Sequence, residues 1–103
     1  MLKFRTDRRH MTEIRASHIL VDNEEHANQI KLELERSDKT FAELAEEKSE
    51  GPSADNGGDL GFFGRGDMVK PFEKKAFELD LGEVSEPVKT EFGWHLIRKT
   101  DER

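Results

Sequence analysis

The chain of 103 residues contains no cysteine. Disulfides, thiolate metal sites, thiol nucleophiles and dithiol redox couples are therefore excluded. The same absence fits a reducing compartment, and a cytoplasmic location is the expectation. No apolar run approaches the ~18–20 residues of a membrane-crossing helix, so no membrane partner is expected. The opening segment MLKFRTDRRH lacks the apolar stretch of a secretory signal. A surplus of basic charge is missing too. With 17 Lys and Arg against 23 Asp and Glu, the net charge is −6, which argues against a primary nucleic-acid binder. Hydrophobic residues make up only 33%, so a core must be compact. The length suits one domain, since domains usually run ~100–150 residues, and leaves no room for a second enzyme domain.

The charge is unevenly spread. Residues 1–10 hold Lys3, Arg5, Arg8 and Arg9 against Asp7, a net +3, which leaves −9 for residues 11–103. This change marks a boundary between a basic tail, residues 1–10, and a folded domain, residues 11–103. The tail reads most simply as a disordered extension or an upstream start. The sharper reading is a basic arm for phosphate-bearing partners.

Within the domain, Ile14 to Val21 reads as a strand, with Ile14, Ala16, His18 and Leu20 on one face and Arg15, Ser17, Ile19 and Val21 on the other. Both faces are partly apolar, which predicts a central strand covered on both sides. Asp22 offers an N-cap, with Glu25 completing a capping box, for a helix reaching about Arg36. Thr40 and Glu43 repeat the pattern before a short helix buried through Phe41, Leu44 and Ala45. Ser49 to Gly58 reads as a loop, and Leu60 to Phe63 as a short strand between glycines. Pro71 suits the first turn of a helix that buries Phe72, Ala76 and Phe77. Val84 to Thr90 is a weak edge strand interrupted by Pro87, and Trp94 to Lys99 is a strand with His95 and Ile97 on one face. Helices clustered between strands predict an α+β domain.

Several blocks in this order resemble the parvulin peptidyl-prolyl isomerases. Ala16-Ser17-His18-Ile19-Leu20-Val21 is similar to their opening strand, and Gly57-Gly58-Asp59-Leu60-Gly61-Phe62-Phe63-Gly64-Arg65-Gly66-Asp67-Met68 to their central signature. Pro71-Phe72-Glu73 and Ala76-Phe77 continue it. Gly82 to Thr90 and Phe92-Gly93-Trp94-His95-Leu96-Ile97 resemble the closing hairpin. The resemblance covers about Ile14 to Thr100. It implies a four-stranded antiparallel sheet wrapped by three or four helices, and cis/trans exchange at X-Pro bonds with no metal and no cofactor. Implied partners are proline-containing peptides and unfolded proteins, met by a monomer.

An unaided X-Pro bond exchanges in ~10–100 s over a barrier of ~20 kcal/mol. The barrier is lost amide resonance, so catalysis means favouring a twisted amide over both planar forms. The resemblance assigns the proline pocket to Leu60, Met68 and Phe72, with Phe92 at its rim. Composition alone reads Leu, Met and Phe as core. It assigns His18 and His95 to the family's paired histidines, either as participants or as a pair that orders the sheet, and Thr90 to a hydroxyl that bonds to them. Two departures stand out. Gly51 occupies a position where the family often has Cys or Asp; the neighbouring Glu50 offers a partial substitute, though it reads more simply as a solvated loop carboxylate. Asp22, Asn23, Glu24 and Glu25 follow the first strand, where phospho-selective members carry basic residues; a phosphate there would meet like charge.

The stretch GGDLGFFGRG lacks the Gly-Lys-Ser/Thr ending of a phosphate loop, and His10, His18, His26 and His95 show no local metal-ligand spacing. Two functions are carried forward. The first is an active prolyl isomerase that is not phospho-selective. The second is a proline-peptide binding module or holdase with little catalysis, favoured by Gly51.

Overall fold

The computed structural model describes residues 12–103; the predicted basic tail lies outside them. Strand β1, Glu13–Val21, is followed by helix α1, Glu24–Arg36, and helix α2, Phe41–Lys48. A 3₁₀ turn, Ala54–Asn56, precedes strand β2, Asp59–Gly64. Helix α3, Lys70–Glu78, leads to strands β3, Val88–Thr90, and β4, Gly93–Glu102. The four strands form one sheet in the order β2-β1-β4-β3, with every neighbouring pair antiparallel. This is the predicted α+β architecture, with three α-helices and one 3₁₀ turn among the described residues.

The two-faced pattern of β1 places it at the centre of the sheet. On one face Ile14 and Ala16 join Phe63, Phe72, Ala76, Phe77, Leu79 and Ile97 beneath α3. On the other, Ile19 and Val21 join Ala27, Ile30, Phe41, Leu44, Ala45 and Leu96 beneath α1 and α2. His18 shares the α3 side of the strand by alternation, and His95 shares it with Ile97 on β4. The register sets Leu20 opposite His95 and His18 opposite Ile97, so the two histidines sit diagonally on adjacent central strands.

Local chemistry explains most boundaries. The Thr40–Glu43 capping box is fully formed, and Pro71 lies in the first turn of α3. The start of α1 differs from expectation: Asn23, not Asp22, is the N-cap, its Oδ1 accepting from the His26 N–H at 2.8 Å. The predicted Val84–Thr90 strand shrinks to Val88–Thr90 plus an isolated bridge between Val84 and Arg98. Pro87, with no N–H to donate, separates the two pieces.

Candidate active site

The α3 face of the sheet brings together residues far apart in sequence. His18 Nδ1 lies 2.9 Å from His95 Nδ1, and the two rings stack with centroids 5.1 Å apart. His95 Nε2 lies 2.7 Å from Thr90 Oγ1, and that oxygen also accepts the Phe92 N–H at 3.1 Å. Thr90, at the end of β3, and His95, near the start of β4, meet because the hairpin between them is tight. Gly93 permits it with φ of 135° and a backbone so close to β1 that a Cβ would stand 2.6 Å from Val21 O.

Phe72 from α3 closes the site from above. Its ring meets His18 edge-on at 5.6 Å and His95 at 5.2 Å. Phe63 supports it at 6.1 Å. Leu60 and Met68 are half-buried against the same cluster. Phe92 behaves differently: its ring is 63% exposed, and only its backbone N–H is tied to the network. The structure therefore unites His18, His95, Thr90, Phe72, Leu60 and Met68 on one side of the sheet, with Phe92 projecting outside.

Both imidazoles are buried, and burial pushes the pKa of each down to about 4, with His18 further disfavouring charge on His95. Both rings are therefore neutral near pH 7. A neutral Nδ1–Nδ1 contact holds one proton. When the Thr90 hydroxyl donates to His95 Nε2, that proton sits on His95 Nδ1 and is donated to His18 Nδ1. His18 then carries its own proton on Nε2. Within the network this distribution pairs every donor except the His18 Nε2–H. His18 Nε2 lies 3.6 Å from where a Cβ on Gly51 would stand, so the chain ends beside the residue that departs from the family pattern. Glu50 does not fill that place. Its carboxylate gathers with Asp22 and His26.

Two supporting groups were not anticipated from sequence. Glu73 is buried at 6% exposure, and its Oε1 accepts the Gly66 N–H at 2.6 Å, tying the loop that carries Met68 to α3. Ser49 Oγ accepts the N–H groups of Leu20 and Gly51 at 3.0 and 3.3 Å, pinning the Gly51 segment to β1. Glu73 lies in the Pro71-Phe72-Glu73 segment, but a charged residue on a short helix reads as solvated.

An antiparallel sheet with a paired-histidine face closed by an aromatic helix is the arrangement of prolyl isomerase domains of the parvulin class. The sequence pattern of the Rotamase family, the PPIC-type PPIASE domain, matches residues 11–101, and the chain belongs to that family. Foldase protein PrsA of Geobacillus kaustophilus is 55% identical over 89 residues, covering 85% of this chain and 31% of that protein. PrsA of Halalkalibacterium halodurans is 52% identical over 101 residues, covering 97% of this chain and 30% of that protein. The chain thus spans about a third of the length of the curated relatives it matches. Among solved structures, the peptidylprolyl isomerase PrsA of Bacillus anthracis superposes with a TM-score of 0.86 at 41% identity, covering 90% of this chain and 43% of that one. NmPin, the parvulin of Nitrosopumilus maritimus, superposes with a TM-score of 0.77 at 48% identity, covering 86% of this chain and 96% of that one.

Proposed function

We propose that this domain catalyses cis/trans exchange of X-Pro bonds in unfolded or flexible protein segments, without a covalent intermediate and without selecting phosphorylated substrates. The observation that carries this reading is the continuous chain Thr90–His95–His18, packed edge-on against Phe72 and ending at His18 Nε2. Leu60, Met68 and Phe72 supply an apolar wall against which a pyrrolidine ring packs. With the ring held, the acyl side rotates. A hydrogen bond from His18 Nε2 that strengthens as the amide twists lowers the barrier, and the dry apolar surroundings make that bond count for more. Rotation breaks no covalent bond, so the chemistry asks for neither nucleophile nor cofactor, and Gly51 is compatible with it.

Asp22, Glu24 and Glu25 are all exposed at the end of β1, and Glu50 adds to the same acidic lip. This supports neutral or basic residues before proline and disfavours phosphoserine. A monomeric cytoplasmic setting belongs to the same proposal.

Exchange NMR on a proline peptide, with and without catalytic amounts of protein, tests the isomerase. Accelerated exchange is expected. Peptide binding without acceleration would instead establish the binding-module reading, which Gly51 beside His18 favours. Comparing Lys-Pro, Ala-Pro and Glu-Pro peptides tests the lip; a preference for Glu-Pro would refute its proposed role.

A further inference from the structure

The β1–α1 corner and the segment after α2 meet at one end of the sheet. There Asp22, His26 and Glu50 each present a ligand atom, all within 4.8 Å of one another. The backbone holds this arrangement in place. The Glu50 N–H donates to Leu20 O at 2.7 Å, fixing Glu50 beside the end of β1. The His26 N–H donates to Asn23 Oδ1 at 2.8 Å, fixing the first turn of α1. Asp22 Oδ1 accepts from Asn23 Nδ2 at 3.0 Å, which leaves its other oxygen available. Among the described residues, no hydrogen bond or ion pair engages the imidazole of His26 or the carboxylate of Glu50.

We propose that Asp22, His26 and Glu50 form a binding site for a first-row divalent cation such as zinc. One imidazole with two carboxylates suits zinc, manganese, cobalt or nickel better than calcium or magnesium, which favour oxygen-only shells. Zinc bonds N and O donors at about 2.0–2.2 Å, which in a tetrahedral shell sets donors roughly 3.4 Å apart. The side chains therefore close by up to about 1.4 Å, a rotamer adjustment open to the exposed Asp22 and Glu50. Three protein ligands leave at least one position to water. The positive end of α1 opposes a cation with roughly half a charge. The two ligating carboxylates outweigh it, and Glu24 and Glu25 in the first turn reinforce them.

Sequence spacing concealed this site because Glu50 arrives by a tertiary contact with β1. Its bearing on catalysis rests on the isomerase reading: Gly51 adjoins both Glu50 and His18, so a bound ion would cancel two charges of the acidic lip. The site itself does not depend on that reading.

Isothermal titration of the full chain with zinc chloride, in chelator-free buffer at about pH 7.5, tests it. One equivalent is expected to bind. His26→Gln and Glu50→Gln should each weaken binding roughly tenfold or more, while His10→Gln should leave it unchanged. Zinc-induced shifts in amide and imidazole NMR spectra should centre on residues 22–26 and 50, with dispersed variant spectra certifying the fold. Absence of binding would overturn the site. So would binding indifferent to both His26→Gln and Glu50→Gln, loss of binding in His10→Gln, or shifts centred on His18 and His95.

Discussion

The Nδ1 atoms of His18 and His95 lie 2.9 Å apart across two central strands, and the contact continues through His95 to Thr90. Thr90 Oγ1 lies 2.7 Å from His95 Nε2; when its hydroxyl donates there, His95 Nδ1 supplies the shared proton. Thr90→Val keeps the shape and removes the hydroxyl. It strands His95 Nε2 and the Phe92 N–H, at a cost of about 1–3 kcal/mol. The variant should unfold at lower denaturant concentration and exchange proline peptides more slowly, with Thr90→Ser restoring both. Nitrogen-15 shifts of the rings check the assignment: His95 should be protonated on Nδ1 and His18 on Nε2. The reverse pattern would refute it.

Burial of this pair makes stability sensitive to acid. The folded pKa of each ring is about 4, from an ordinary value of 6.5. Between those values the unfolded chain binds more protons than the folded one, so stability rises with pH there. The contribution is fully present above about pH 6.5 and is lost as pH falls towards about 4, at up to roughly 1.4 kcal/mol per pH unit for each ring. Denaturant midpoints measured across this window should fall with acid, and His18→Phe should flatten the slope. Isomerase activity should stay level from about pH 6.5 to 8, because neither ring titrates there. A bell centred near neutrality would show that an imidazole changes charge during turnover.

Gly51 offers a direct test of what faces His18. Its φ lies outside the left-handed region, and an added Cβ makes only ordinary contacts, 3.6 Å from His18 Nε2 and from Leu20. Gly51→Asp should therefore fold normally and set a carboxylate beside the ring. Opposite charge favours imidazolium, so the His18 titration followed by NMR should move upward from about 4. An unmoved His18 would show that position 51 does not address the Nε2 edge.

Much of this architecture was legible in the residues. The alternation of Ile14, Ala16 and His18 against Ile19 and Val21 placed β1 between two cores because burial on both faces leaves both sets apolar. Thr40 and Glu43 announced their helix because a capping box is a local bond pattern. The error at Asp22 is equally physical: two adjacent side chains are both competent caps, and one residue of backbone decides between them. Glu73 escaped notice because its burial depends on the Gly66 N–H, which only the folded loop presents. Phe92 was assigned a rim position that its ring occupies only by standing in solvent.

The apolar wall predicts that binding and exchange weaken together. Met68 is half-buried against the Phe72 cluster, so Met68→Ala removes contact area without opening the fully buried core. Peptide affinity and exchange rate should both fall, with stability lowered by less than the ~2–5 kcal/mol of a fully buried Met→Ala change. Values unchanged for both binding and rate would place the proline pocket elsewhere.

Gly58 and Gly82 separate backbone strain from damage to the site. Both have positive φ, 82° and 83°, so alanine at either costs roughly 1–2 kcal/mol in backbone conformation. At Gly82 nothing lies within 4 Å of the added Cβ, whereas at Gly58 it would stand 2.4 Å from His18 O and 3.2 Å from His18 N. The His18 N–H already donates to Gly58 O at 2.9 Å, so relieving that clash shifts β1 where it carries the His18 ring. Gly82→Ala should lower the thermal midpoint by a few degrees and leave exchange activity intact. Gly58→Ala should lower it further and also depress the rate per folded molecule, measured well below its own midpoint. Equal losses in the two variants would mean that the close approach of Gly58 to His18 does not position the ring.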